Sequence, residues 1–138
     1  NTNRGGFCKR DENISTAAGY AFYYAAGVMS YRHCDGSATR LLLSSQSIGL
    51  NAWTFCVLSA DRDGLARMYL NGSVVTSLNI SAQAGSVSNA VGIRIGDIGV
   101  IGFGFAGRLD EMRLYDHVLT DDEIEQLYRM GKVIYENR

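Results

Sequence analysis

The chain has 138 residues, enough for one domain around one hydrophobic core and too few for two. Hydrophobic residues make up 46% and charged residues 20%, proportions that are ordinary for a globular protein. Because the net charge is −1 and no apolar run approaches the ~20 residues that span a bilayer, the sequence argues against nucleic-acid binding and membrane insertion.

Glycine content and turn motifs favour a succession of short strands. The sequence has 16 glycines and no proline. Asp61–Gly64 predicts a hairpin loop, and Asn71-Gly72 predicts a tight type I′ turn. The runs that predict strands lie at Gly19–Ala25, Val28–His33, Thr39–Ser44, Trp53–Ala60, Leu65–Leu70, Val74–Leu78 and Val91–Ile95. Strands at this spacing predict an all-β, antiparallel sandwich.

A further strand is predicted near the C-terminus. Apolar and polar residues alternate over Leu109–Tyr115, which suits a strand with one buried face. In this alternation Asp110 shares its face with Met112 and Leu114, so its carboxylate is expected to point toward the core and to need a partner.

One helix is predicted after that strand. Thr120 is a good N-cap, and Glu123 three residues later completes a capping box. Ile124, Leu127 and Tyr128 form one apolar stripe at helical spacing, and Gly131 is a natural C-cap. We therefore expect a helix of about three turns that docks by one face.

The same region carries a family signal. Residues 105–128 read FAGRLDEMRLYDHVLTDDEIEQLY, and shorter motifs precede them at Gly19–Phe22, Gly27–Tyr31, Trp53–Asp61, Met68–Gly72 and Ile93–Gly96. In this order and spacing the motifs resemble laminin-G-like domains of the concanavalin A-like lectin and glucanase superfamily. The resemblance implies a jelly-roll β-sandwich with one short C-terminal helix, a single domain over residues 1–138, and a secreted or cell-surface location.

The sequence departs from the family pattern at its start. Members usually carry further strands before the position of Gly19, whereas only 18 residues precede it here, with Phe7 and Cys8 as their strand core. The domain is therefore expected to be shortened at the N-terminus, with an open sheet edge. We expect that edge to be covered by the tail Val133–Arg138 or by a second copy in a homodimer.

The predicted alternation also identifies candidate ligand-binding residues. It sends a set of aromatic and arginine side chains away from the core, and aromatic rings beside guanidinium donors suit sugar rings, which present C–H patches and hydroxyls. An ordinary solvated face is the alternative. The predicted ligand-binding residues are Tyr23, Arg32, Phe55, Arg67, Tyr69 and Arg94.

A metal site is a second candidate. Many jelly-roll relatives that this chain resembles hold a structural calcium with the aspartate that corresponds to Asp110, together with backbone carbonyls. The alternatives are a hydrogen bond from loop amides or a salt bridge to an arginine. No other cofactor is expected.

Catalytic patterns are absent from the sequence. Neither the E-x-D-x-x-E string that glucanase relatives need nor a G-x-S-x-G elbow occurs, and His33 and His117 are lone histidines. The G-x-G-x-x-G string at 102–107 leads into a predicted strand rather than a helix, which argues against a nucleotide site. We therefore expect no enzymatic activity.

Three cysteines leave two readings open. Cys8, Cys34 and Cys56 are either three small apolar side chains, or Cys8 and Cys34 form a disulfide with Cys56 buried. The function that the resemblance implies is a non-catalytic, lectin-like carbohydrate-binding module. The alternative is a protein-interaction, adhesion or oligomerisation module of the laminin-G type.

Overall fold

The computed structural model describes residues 5–101 and 104–136, which form a β-sandwich with one C-terminal helix. One sheet has five strands in the order β4-β3-β2-β1-β8, and the other has three in the order β5-β6-β7. The strands are β1 Gly5–Lys9, β2 Gly19–Ala25, β3 Val28–Cys34, β4 Thr39–Ser47, β5 Cys56–Ala60, β6 Leu65–Leu70, β7 Ser73–Asn79 and β8 Arg94–Ile95. Every strand pair is antiparallel, which confirms the predicted fold class.

The predicted turns connect the strands of the smaller sheet. The Asp61–Gly64 loop joins β5 to β6, and the amide of Gly64 donates to the carbonyl of Asp61 at 3.1 Å. Asn71 and Gly72 both have positive φ, 50° and 83°, as a type I′ turn requires. The chain therefore enters and leaves β6 through tight hairpins, which fix the register of all three strands.

Two apolar clusters lie on opposite faces of the larger sheet. The inner cluster fills the space between the sheets, and its buried members are Met29, Tyr31, Leu42, Ala66, Met68, Leu70 and Ile80. The outer cluster lies on the face turned away from the smaller sheet, and its buried members are Cys8, Ala21, Tyr23 and Ile98. Three of the predicted ligand-binding residues, Tyr23, Arg32 and Arg94, lie on the face of the outer cluster.

Helix α1 spans Asp121–Glu136 and begins with the predicted capping box. The amide of Thr120 donates to Glu123 Oε2 at 2.8 Å, and the amide of Glu123 donates to Thr120 Oγ1 at 3.3 Å. Hydrogen bonds from the Thr120 amide and hydroxyl to the Glu123 carboxylate lower the pKa of Glu123. The predicted stop at Gly131 is wrong: a glycine inside a helix costs only about 1 kcal/mol relative to alanine, and the helix continues through it.

Loss of the cap is expected to have a measurable cost. Thr120→Ala removes the side-chain acceptor for the Glu123 amide and should lower the free energy of unfolding by about 0.5–2 kcal/mol. Urea unfolding followed by circular dichroism measures the change. Thr120→Ser keeps the hydroxyl and serves as the control. If the serine variant lost as much stability as the alanine variant, the cap would not be the cause.

The predicted strand Leu109–Tyr115 is not part of either sheet. Glu111 takes a left-handed backbone conformation with φ 51°, which interrupts an extended chain, and Asp110 Oδ1 accepts the Glu111 amide at 2.8 Å. Asp110 is exposed rather than core-facing, so that expectation was also wrong. The segment instead lines a cleft between the two sheets.

All three cysteines are free. Strand β2 separates Cys8 on β1 from Cys34 on β3, so their backbones are two strand spacings apart, about 10 Å. This exceeds the ~7 Å limit for a disulfide. Burial raises the pKa of the Cys8 thiol and raises that of Cys56 to about 12, so both thiols remain protonated at neutral pH.

Two other expectations concern the edges and ends of the chain. The G-x-G-x-x-G string at 102–107 falls partly outside the described residues. So does the C-terminal tail 133–138, which was expected to cover the open sheet edge. Within the described ranges, the edge strands β4 and β5 each pair with a single neighbour, so the homodimer through an open edge stays a prediction. None of the described helical segments is long and apolar enough to cross a membrane.

Candidate functional site

The outer face of the larger sheet brings two predicted arginines into one cross-strand row. Register pairs Arg94 with Cys8, Cys8 with Ala21, Ala21 with Arg32, and Arg32 with Leu41. Directly paired residues point to the same face. The backbones of Arg94 and Arg32 are therefore about 14 Å apart, three strand spacings, with two small residues between them. We call this surface the arginine face.

Tyr23 supports Arg32 on the arginine face. The guanidinium carbon of Arg32 lies 5.7 Å from the centroid of the Tyr23 ring, within the range of a cation–π contact. Tyr23 is only 2% exposed, so its ring acts as a fixed platform. The side chain of Arg32 is 28% exposed, so part of its guanidinium reaches the surface.

A buried carboxylate fixes the same guanidinium from the other side. Arg32 Nη1 lies 2.5 Å from Glu12 Oε2, and the Glu12 side chain is only 1% exposed. Arg10 Nε lies 3.2 Å from Glu12 Oε1, close enough for an ion pair but not aligned as a hydrogen bond. Arg10 Nη2 donates to the carbonyls of Ile14 and Ser15 at 3.0 and 3.1 Å. The Glu12 carboxylate and the Tyr23 ring thus hold Arg32 in one orientation.

Charged groups of both signs surround the arginine face. Three arginines, Arg10, Arg32 and Arg94, accompany three carboxylates, Asp11, Glu12 and Asp97, the last of which accepts the amide of Gly99 beside the Arg94 guanidinium. The pKa of Asp11 is lowered, mainly by hydrogen bonds from Asn13 and to a smaller extent by Arg94 and Arg10. An anion can reach the exposed part of the Arg32 guanidinium on this face.

The segment after β8 shapes one end of the arginine face. Ile98 is fully buried against Cys8, Ala21 and Tyr23. Gly99, which has φ 79°, leaves no room for a side chain beside the Arg94 guanidinium. The segment after β8 therefore covers the Arg94 end of the row, and the Arg32 end stays accessible.

The edge strand β4 adds an apolar border. Leu41 lies directly beside Arg32, and Leu41 and Leu43 are 48% and 49% exposed on the same face. Exposed aliphatic side chains next to a guanidinium offer contacts for the C–H patches and the polar groups of one ligand. Sequence reasoning missed both leucines, because a run of three leucines was read only as strand core.

Asn89 holds the loop that carries Glu12. Its side-chain nitrogen donates to the carbonyls of Lys9 and Ala18, at 2.9 and 3.0 Å, which are the two ends of that loop. Its side-chain oxygen accepts the Val91 amide at 2.9 Å. One polar side chain thereby ties the loop after β1 to the chain before β8. Neither Asn89 nor Arg10 nor Glu12 carries a pattern that would have identified it in the sequence.

The other predicted ligand-binding residues lie on a different surface. Arg67 and Tyr69 belong to the outer face of the smaller sheet, and Phe55 precedes its first strand. Helix α1 covers this surface: Tyr69 donates to Asp121 Oδ1 at 2.6 Å, and the rings of Phe55 and Tyr128 lie 5.8 Å apart. Desolvation, followed by the Asp121 hydrogen bond, raises the pKa of Tyr69 to about 12.

The six predicted residues therefore do not form one site. Tyr23, Arg32 and Arg94 share the arginine face, whereas Phe55, Arg67 and Tyr69 lie on the opposite side of the sandwich. Alternation correctly turns Tyr23 and Tyr69 away from the space between the sheets, but both are covered, at 2% and 1% exposure. The role of each residue in binding stays a prediction.

The predicted calcium site gains no further ligands. Among residues 5–101 and 104–136, no group of three histidine, cysteine, aspartate or glutamate side chains is placed to hold a metal ion. Asp110 is exposed and accepts the amide of Glu111, which is the alternative that the sequence left open. A calcium ion held by Asp110 and backbone carbonyls stays a prediction.

Several solved structures share this fold. The CBM40 of the Ruminococcus gnavus IT-sialidase, solved with alpha2,3-sialyllactose, matches with a TM-score of 0.73 and 19% identity, over 93% of this chain and 76% of the other. The binding domain of Paraclostridial Mosquitocidal Protein 1 matches with a TM-score of 0.74 and 16% identity, over 93% of this chain and 31% of the other. At these identities the likeness establishes the fold alone. No curated protein matches the chain.

A family model gives the more specific result. The model described as the concanavalin A-like lectin/glucanases superfamily matches residues 5–125, which is most of the chain. The match includes both sheets and the start of helix α1. The protein is therefore a member of the Laminin_G_3 family of the concanavalin A-like lectin/glucanase superfamily.

Proposed function

We propose that this protein is a non-catalytic carbohydrate-binding module, and that its arginine face binds an acidic glycan. The observation that carries the proposal is the geometry of Arg32. Its guanidinium lies over the buried ring of Tyr23, is paired with the buried carboxylate of Glu12, and is still partly exposed. A pre-oriented guanidinium pairs well with a ligand carboxylate, because little side-chain freedom is lost on binding.

The surroundings of Arg32 support a sugar rather than a simple anion. Leu41 and Leu43 provide an exposed apolar strip beside the guanidinium. A sugar ring that bears a carboxylate can place its C–H patch on this strip while its charge meets Arg32. The R. gnavus domain of the same fold was solved with both alpha2,3- and alpha2,6-sialyllactose, which are acidic glycans of this kind.

A non-catalytic role is consistent with the chemistry of this face. Glu12 lies between the guanidinium groups of Arg10 and Arg32, so both of its carboxylate oxygens face positive charge and it serves as a structural counter-charge. The other nearby carboxylate, Asp11, has a lowered pKa and is bonded to Asn13. Neither group is suited to act as the general acid that glycoside hydrolysis needs.

Calorimetric titration with alpha2,3-sialyllactose and with lactose tests the proposal. The wild-type protein should bind the sialylated sugar and not lactose. Arg32→Ala should weaken binding by about 10- to 100-fold, because it removes a charge-assisted contact worth about 1.5–3 kcal/mol. Arg32→Lys should recover part of the loss, since it keeps the charge without the planar fork.

Arg67→Ala is the matched control, because it removes an arginine from the opposite side of the sandwich. Its affinity for the sialylated sugar should equal that of the wild type. Thermal unfolding of each variant separates loss of binding from loss of fold. Failure of the wild type to bind sialyllactose, or an equal loss in the Arg67 variant, would refute the proposed site.

The same exposed leucines favour one alternative, a protein-interaction module. An apolar strip on a nine-residue edge strand can also contact a protein partner. A specific protein partner together with no glycan binding by the wild type would favour this second function.

A further inference from the structure

The guanidinium of Arg32 carries a carboxylate of the protein beside the position proposed for the ligand. Glu12 Oε2 lies 2.5 Å from Arg32 Nη1, so one of the three guanidinium nitrogens is already paired. Nη2 and Nε are the nitrogens that remain for a ligand, and the side chain is 28% exposed. A ligand anion on Arg32 is therefore bound next to an anion that belongs to the protein.

The Glu12 carboxylate is fixed in that place. Its side chain is only 1% exposed, and Oε1 lies 3.2 Å from the Nε atom of Arg10. Arg10 is equally buried and donates to the carbonyls of Ile14 and Ser15, in the loop that carries Glu12. Glu12 cannot swing away from a ligand without leaving Arg10 buried and without its counter-charge. The negative charge beside the ligand position is therefore built into the site.

A ligand anion and Glu12 repel each other across the Arg32 guanidinium. Two anions that take different nitrogens of one guanidinium have their charges about 6 Å apart. At that separation, in surroundings between protein and water, the repulsion weakens binding by about 3- to 30-fold for each negative charge that the ligand places there. The loss therefore rises with the charge of the ligand rather than with its shape.

The other two arginines of the face do little to offset this repulsion. Arg10 is buried and already faces Glu12. Arg94 lies at the far end of the row, where Gly99 leaves no room for a side chain beside its guanidinium. The Gly99 amide donates to Asp97, whose carboxylate adds negative charge at that end. A second negative charge on the ligand thus meets Glu12 without gaining a second guanidinium.

We infer that Glu12 is the specificity-determining residue of the arginine face, and that it selects singly charged sugar acids over doubly charged sugar phosphates. This selectivity rests on the proposed function, in which Arg32 pairs with the ligand. A carboxylate or a sulfate ester carries one negative charge, whereas a phosphate ester carries about 1.5 to 2 at neutral pH. The added charge of the phosphate costs more hydration on binding and is repelled by Glu12.

Galactose 6-sulfate and galactose 6-phosphate separate charge from shape, because they place similar groups on the same sugar and differ in charge. Displacement of alpha2,3-sialyllactose, followed by calorimetry, gives the affinity of each. In the wild type the phosphate should need at least as high a concentration as the sulfate. Glu12→Gln keeps an oxygen that accepts from Arg32 Nη1 and removes the charge. It should improve the affinity for the phosphate relative to the sulfate by about 3- to 30-fold.

Glu125→Gln is the matched control, because it removes the same charge from an exposed pair on helix α1. Its ratio of the two affinities should equal that of the wild type. An unchanged ratio in Glu12→Gln, or an equal change in Glu125→Gln, would overturn the inference.

The wild type decides the question if thermal unfolding shows that Glu12→Gln does not fold. Displacement by the phosphate at a lower concentration than by the sulfate would then overturn the selectivity, and the reverse order would support it. Failure of the wild type to bind sialyllactose at all is a different outcome. It would refute the proposed function itself, and the selectivity with it.

Discussion

Replacing Glu12 with alanine is expected to lower the free energy of unfolding by about 3–5 kcal/mol. The side chains of Arg10 and Glu12 are each only 1% exposed. Removing the carboxylate leaves the Arg10 guanidinium buried without its counter-charge, in a place where its Nε and Nη1 atoms already make no hydrogen bond. Arg32 loses its partner at the same time.

Urea unfolding of the Glu12→Ala variant measures this loss. Glu125→Ala is the matched control, since it breaks a pair of similar length, 2.5 Å, whose side chains are 49% and 74% exposed. That exposed pair should contribute only about 0.3–0.5 kcal/mol. If the two variants lost equal stability, Glu12 would not be a buried counter-charge, and the fixed orientation of Arg32 would lose its explanation.

Met68→Ala should lower the free energy of unfolding by about 2–5 kcal/mol. Met68 is fully buried at the centre of β6, where it faces the larger sheet among Met29, Tyr31 and Leu42. Truncation leaves a void between the sheets that neighbouring side chains cannot fill without moving the hairpins on either side. Denaturant unfolding monitored by far-ultraviolet circular dichroism measures the effect.

Val74→Ala provides the comparison for Met68. Val74 lies on the next strand and is 47% exposed, so its truncation should change stability by no more than about 0.5 kcal/mol. A large loss at Val74, or a small one at Met68, would mean that the inner cluster is not the main source of stability in this sandwich.

The turns, the helix start and most strands of the fold were predicted from short sequence patterns. The Asn71-Gly72 turn and the Thr120–Glu123 box each act within four residues, so the sequence predicts them well. Most strands were also predicted, because an alternating pattern reports directly on a sheet with one buried face. The bounds shifted by a few residues where pairing with a neighbour extended or shortened the strand.

Leu109–Tyr115 shows where such local reasoning ends. Its pattern alternates as well as that of any strand in the chain, but a strand also needs a neighbour with which to pair. In this structure the left-handed Glu111 interrupts the segment, and the segment belongs to neither of the two sheets. No residue within the segment encodes that outcome, because glutamate has no special preference for positive φ.

The candidate site was predicted only in part for a similar reason. Alternation indicates which way a side chain points, but not what lies above it. Alternation predicted that Tyr69 points away from the core. It did not predict that helix α1 packs over Tyr69, or that the Tyr69 hydroxyl donates a hydrogen bond to Asp121. It identified Arg32 but not Glu12, whose place beside Arg32 depends on a loop that Asn89 holds.

The binding surface itself is tested most directly by mapping a ligand onto the backbone. Proton–nitrogen correlation spectra would be recorded while alpha2,3-sialyllactose is added to the labelled protein. We expect the amide signals of Tyr23, Arg32, Leu41 and Leu43 to shift and saturate, and those of Arg67 and Tyr69 to stay in place. Shifts confined to the side of the sandwich that bears helix α1, or no shifts at all, would contradict the assignment of the arginine face as a glycan-binding surface.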